Sequence, residues 1–181
     1  MESATMERPR MRPVNADGSF AAFLTLHDVL ITQMRADLVA LTDGSPTLEE
    51  AQQMGVFWQE VLTVHAQTED AALFPIARAV GDPTLIRSAD VIEQEHGPIE
   101  DAIDRYMQTL AAVETGQADI KELIPAAREA RALTELHFGR EEATVIRPLQ
   151  LLLADEQFRP AVEAQDAALG PWLREHGWQG F

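Results

Sequence analysis

Apolar residues recur at steps of three and four through most of the chain, and they nowhere alternate strictly with polar ones. That spacing belongs to helices that bury one face, while strict alternation would mark half-buried strands. A first stripe reads Phe20, Phe23/Leu24, His27, Leu30/Ile31, Met34, Leu38, Leu41, predicting a helix from about Asp17 to Thr42. A second reads Trp58, Val61/Leu62, His65, Glu69, Ala72, Ile76, and its helix should begin at Thr47, where Glu50 completes a capping box. A third, Leu85, Ala89, Ile92, His96, Ile99, Ile103, Tyr106/Met107, Leu110, starts behind the Asp82-Pro83 cap. A fourth, Ala130, Leu133, His137, Glu141, Thr144, Pro148, Leu151, runs from about Ala126 to Leu153. Turn-forming clusters separate them at Thr42 to Pro46, Val80 to Pro83 and Glu114 to Asp119.

Long helices joined by short turns predict an all-α fold, an up-down-up-down four-helix bundle over residues 17–153. Residues 1–16 are expected to form a flexible N-terminal tail. Residues 154–181 are expected to add a short extra helix and tail, anchored on the bundle by Trp172 and Trp178. Pro75, Pro98 and Pro148 each remove a backbone donor and should end or kink their helices. Gly97-Pro98, directly after His96, should break the third helix or bend it where something binds.

Composition narrows the function. In 181 residues, 30 acidic side chains face 14 basic ones, a formal charge of −16. Such a surface cannot displace the counterions on nucleic acid and is repelled by anionic membranes. No apolar run approaches the roughly 18 residues of a membrane span, and Met1–Pro13 lacks the apolar core of a signal peptide, so a cytoplasmic location is expected. The chain has no cysteine, which excludes disulfides, thiol catalysis and Cys-ligated zinc or iron–sulfur clusters.

Four of the five histidines lie on the apolar stripes, one per helix. A single histidine there is ordinarily a hydrogen-bonded core residue. The spacing changes that. In an antiparallel hairpin, residues at equal height are equidistant from the turn. The midpoints of His27/His65, His65/His96 and His96/His137 fall at 46, 80.5 and 116.5, inside the three turns located from Gly, Pro and Asp. Four imidazoles at one level of a core are hard to satisfy by hydrogen bonding alone, and a shared metal site satisfies them. His65 and His137 are each followed four residues on by a carboxylate, Glu69 and Glu141, on the same helix face about 6 Å along the axis. Two facing buried carboxylates would repel, whereas metal ions let them bridge. Asp70 and Glu142, one step round their helices, are expected to be solvated. Imidazole and carboxylate donors together suit iron, and also manganese or zinc.

The repeated pattern, His27…His65-x-x-x-Glu69 and His96…His137-x-x-x-Glu141, resembles the hemerythrin-like (HHE cation-binding) domain over residues 17–153. The endings Leu73-Phe74-Pro75 and Ile146-Arg147-Pro148 are similar to that family too. The resemblance implies two non-haem irons, oxo- or hydroxo-bridged, held by His27, His65, Glu69, His96, His137 and Glu141. It also implies a small ligand such as O2, H2O2 or NO, with catalase-like peroxide breakdown as one activity and an iron- or oxygen-sensing or iron-handling role without turnover as the alternative. The oxygen carriers have a second histidine four residues on in the third helix, and Glu100 stands there instead, as a neighbour of the ligands or a solvated residue. Glu93 is an extra candidate at the level of the carboxylates. Tyr106 packs in the core or hydrogen-bonds a bound oxygen species. His176 is expected to be an ordinary exposed histidine.

Overall fold

Several of the helices begin where a side chain satisfies their first backbone N–H groups. The computed structural model describes residues 18–175, and the described residues form helices and connecting loops with no strand. The expected tail, the Asp17 start, His176 and Trp178 lie outside the described residues. Helix α1 is Gly18–Asp43. At Gly18 φ is +52°, and a Cβ would come within 2.5 Å of Asp155 Oδ1. The same carboxylate accepts the N–H of Ser19 at 2.6 Å, tying the start of α1 to the last helix. Helix α2 spans residues 48–79 behind the Thr47/Glu50 capping box. Helix α3 spans residues 83–114, with Asp82 accepting from the N–H groups of Thr84 and Leu85 at 2.8 Å each. Helix α4 spans residues 123–152, starting three residues earlier than Ala126 because a capped 3-10 turn, Ile120–Glu122, leads directly into it. Helix α5 is Asp155–Glu175. At 21 residues it is no short appendage, a correction to the expected extra helix.

The three prolines do not act alike. Pro75 and Pro148 neither end nor break their helices. Each follows a wide π segment, Glu69–Leu73 in α2 and Glu142–Ile146 in α4, and sits at the start of the α-helical stretch that continues. The extra residue of the π turn accommodates the backbone donor that proline lacks. A third π segment, Trp58–Leu62, precedes His65. Each inserted residue turns the buried face by one position. Beyond Glu69 the buried residues are Leu73, Phe74 and Ala77 rather than Ala72 and Ile76. Beyond Glu141 they are Val145, Ile146 and Leu149 rather than Thr144, Pro148 and Leu151. Helix α3 is broken at Glu95, between the stretches Pro83–Gln94 and His96–Glu114, and Pro98 lies in the first turn of the second stretch, where no intrahelical donor is needed.

Helix α1 packs on α4 and α5, α3 on α2 and α4, and α5 also on the stretch of α2 that carries His65 and Glu69. Two apolar cores result. One, around Met34, Trp58, Tyr106 and Ala127, fills one end of the molecule. The other, around Phe23, Phe74, Ile92, Ile146 and Phe158, fills the opposite end. Phe20 stacks on Phe158 with centroids 4.0 Å apart, and Trp172 packs on Phe57 at 5.7 Å, which fastens α5 at both ends. None of the described helices is long and apolar enough to cross a membrane.

Candidate metal centre

Between the two apolar cores lies a layer of buried polar side chains: His27, His65, Glu69, His96, His137, Glu141 and Glu142. Glu69, Glu141 and Glu142 are each 0 % exposed. Burying so many ionisable groups is costly unless something in the layer compensates them.

Glu69 stands at the middle of the layer. Its Oε1 is 2.8 Å from His65 Nε2 and 3.5 Å from His27 Nε2. Its Oε2 is 3.2 Å from His96 Nε2 and 3.9 Å from His137 Nε2. Glu141 Oε2 lies 3.5 Å from His27 Nε2 and 3.8 Å from His137 Nε2. The four rings therefore direct Nε2 at two carboxylates. These approaches are close yet not aligned as hydrogen bonds: all four Nε2 atoms and both oxygens of Glu69 are buried without one. Convergence of acceptor atoms without alignment suits a cation placed between them.

Ligand atoms from His27, His65 and Glu69 all lie within 4.8 Å of one another, and so do those from Glu69, His96 and His137. Glu69 belongs to both groups. Five of the six side chains singled out in the sequence make up these groups, and the sixth, Glu141, adjoins them through His27 and His137. Glu93 is not among them, a correction to its candidacy: its carboxylate turns outward to the Arg78 guanidinium. Tyr106 is buried, and its hydroxyl donates to the Ala51 carbonyl at 3.0 Å, so it serves packing.

The opposite ring nitrogens were not foreseen. His27 Nδ1 is hydrogen-bonded to Glu142 Oε1 at 3.1 Å, a fully buried carboxylate rather than a solvated one. Asp70, half-exposed, places Oδ1 3.0 Å from His96 Nδ1. Glu95, positioned by the break in α3, holds Oε2 3.5 Å from His137 Nδ1 and accepts from Arg140 at 2.5 Å. Carboxylates behind ligating histidines fix the ring and its tautomer. The signal for Asp70 and Glu142 was present one residue after each His-x-x-x-Glu, and Glu95 stands one residue before His96, but acidic neighbours in an acidic chain are ordinarily solvated.

Electrostatics follow this geometry. Burial alone would raise the Glu69 carboxyl, but His65, His137 and His27 outweigh it and hold the group well below its ordinary range. Burial pushes His65 down, only partly offset by Glu69. For His137 the same burial is overcome by Glu69 and Glu95, and its pKa is raised. Glu95 is lowered, because His137 and Arg140 outweigh its desolvation.

The surroundings are apolar. Phe138 stacks flat on His27, centroids 4.0 Å apart and planes at 5°, and Phe23 meets the same ring edge-on at 5.2 Å. A small cleft of about 20 Å³ reaches the layer from one side, lined by apolar Leu62, Ile99, Ile103 and Phe138 and ending on His65, Glu69, His96 and His137. Glu100 stands on its wall.

The family model described as the hemerythrin HHE cation binding domain matches residues 20–149, well over half of the chain. No curated protein and no solved structure gives a significant match.

Proposed function

Because the chain belongs to the hemerythrin HHE cation-binding family, we propose that its polar layer holds two irons and presents them to a small oxidant. The observation that carries this is the position of Glu69, shared between the His27/His65 group and the His96/His137 group. One carboxylate with each oxygen facing a different pair of imidazoles is suited to bridge two ions. Glu141, set between His27 and His137, would be the second carboxylate to hold the ions. Four imidazoles and two carboxylates suit iron, manganese or zinc, and the family favours iron. They are too few to fill two six-coordinate spheres, so positions stay open for an added ligand.

The first four helices are read as an up-down-up-down bundle over residues 17–153, which is supported by their short connections and by four histidines meeting in one layer. In that bundle an added ligand would enter where the cleft ends, on His65, Glu69, His96 and His137. Its apolar wall admits small molecules of low charge, such as O2, H2O2 or NO. Bound irons would supply the electron transfer between two peroxide molecules that yields water and oxygen. The protein's part is to hold the ligands and handle protons. Glu142 hydrogen-bonds the His27 ring, and Asp70 and Glu95 lie behind those of His96 and His137, which favours Nε2 facing inward. Phe138 and Phe23 keep bulk water from His27. Among the described residues, Glu100 is the one titratable group lining the cleft outside the proposed ligand set, and its role is to pass a proton to an entering molecule. Disproportionation needs no external reductant, which fits a chain without cysteine.

The test is oxygen release from H2O2 by the iron-loaded protein, measured against the same amount of free iron. Release well above free iron, abolished in Glu69→Ala, is the expected result. No excess overturns peroxide turnover and leaves a binding or sensing centre.

A further inference from the structure

A histidine that ligates through Nε2 carries its proton on Nδ1, and a buried Nδ1–H requires an acceptor. Three of the four rings in the polar layer face a carboxylate there: Glu142, Asp70 and Glu95. His65 does not. Like those of His96 and His137, its Nδ1 is buried without an aligned hydrogen bond, and among the described residues no carboxylate faces it. The side chain beside it comes from α5. Gln165 is 2 % exposed, and its Nε2 donates to the backbone carbonyl of His65 at 3.1 Å. That leaves the amide oxygen, Gln165 Oε1, buried and also without a hydrogen bond. An orphaned donor and an orphaned acceptor thus lie on neighbouring side chains, one needing what the other offers.

We propose that Gln165 is the positioning residue for His65, accepting Nδ1–H with its amide oxygen, so that α5 is a working part of the metal centre. The inference rests on the metal-centre reading above and extends it outside residues 20–149, to a helix the family model does not cover. It also makes the centre uneven. Three imidazoles are backed by negative carboxylates and one by a neutral amide, so His65 is the weakest electron donor of the four.

The experiment compares the iron-loaded full chain with Gln165→Leu, Gln165→Glu and Leu169→Ala. Leu169, buried on the same helix, serves as the packing control. Iron release to a chelator, the visible absorption spectrum and the midpoint potential are measured on each. Gln165→Leu should release iron roughly 10- to 100-fold faster and shift the spectrum. Gln165→Glu, nearly isosteric, should move the potential to more negative values because a carboxylate strengthens the imidazole as a donor. Leu169→Ala should lower the melting temperature while leaving spectrum and potential as in the parent. Unchanged release, spectrum and potential in both Gln165 variants would overturn the proposal, as would the same changes in Leu169→Ala. If Gln165→Leu does not fold, the potential of Gln165→Glu decides. A parent chain that binds no iron would instead overturn the metal-centre reading itself, so the two failures are distinct.

Discussion

Glu142 Oε1 lies 3.1 Å from His27 Nδ1, and neither side chain reaches solvent. The two residues are 115 positions apart, on α4 and α1. The contact places a carboxylate behind a ring whose other nitrogen faces Glu69 and Glu141. Glu142→Ala should therefore weaken iron retention by roughly 10- to 100-fold, the usual effect of removing such a partner. Asp70→Ala should do less, because Asp70 is half-exposed and water can replace it behind His96. Chelator competition on the two variants measures the difference.

Metal and fold should be coupled. Without a cation, Glu69 and Glu141 share one dry layer with four imidazoles. An ion bound only to the native state stabilises it by mass action, about 4 kcal/mol at a free concentration a thousand times Kd. For a chain of this length that corresponds to roughly 10 °C in melting temperature. Calorimetry before and after chelation checks this, and equal melting temperatures would contradict it.

Attachment of α5 to α1 should depend on pH. The Ser19 N–H, with Arg159 and the Ser19 hydroxyl adding to it, lowers the Asp155 carboxyl below its ordinary 3.8. A lowered folded pKa means that the unfolded chain takes up its proton first as acid is added. The stabilisation is therefore complete above about pH 4 and lost as the pH falls through the folded value. The melting-temperature gap between the parent and Asp155→Ala should hold steady at neutral pH and close in acid. A gap that stays constant to low pH would count against the contact.

Access should run through the cleft. Ala66 lines it beside His65 and Glu69. Ala66→Leu should slow the binding of azide or NO several-fold while iron content stays the same. Stopped-flow absorbance gives the rate, and an unaltered rate would place the entry path elsewhere.

The helical stripes of α1 and α3 were readable because their periodicity is uninterrupted on each side of the histidine: Phe20 through Leu41, and Leu85 through Leu110, are nearly all buried where the pattern put them. The later halves of α2 and α4 were not. A period of 3.6 residues carries no sign of an inserted residue, so the π segments after Thr68 and Glu141 shift Ala72 to Leu73 and Thr144 to Val145 unannounced. The convergence of the four histidines and two glutamates was legible because it depends only on distances from turns, and Gly81 and Gly116 mark two of those turns by φ values of 79° and 71°. Partners contributed from elsewhere were invisible. Glu142 differs from a solvated glutamate only in what α1 places opposite it, and Gln165 belongs to a helix whose docking no local pattern announces.

Iron content per chain tests the central claim most directly. Glu69 alone belongs to both ligand groups. The parent protein, purified from iron-replete cells, is predicted to hold two irons per chain, and Glu69→Ala to lose both, while Glu93→Ala retains them. A parent chain with no more than trace iron, or a Glu69→Ala protein that still holds two, would contradict the account.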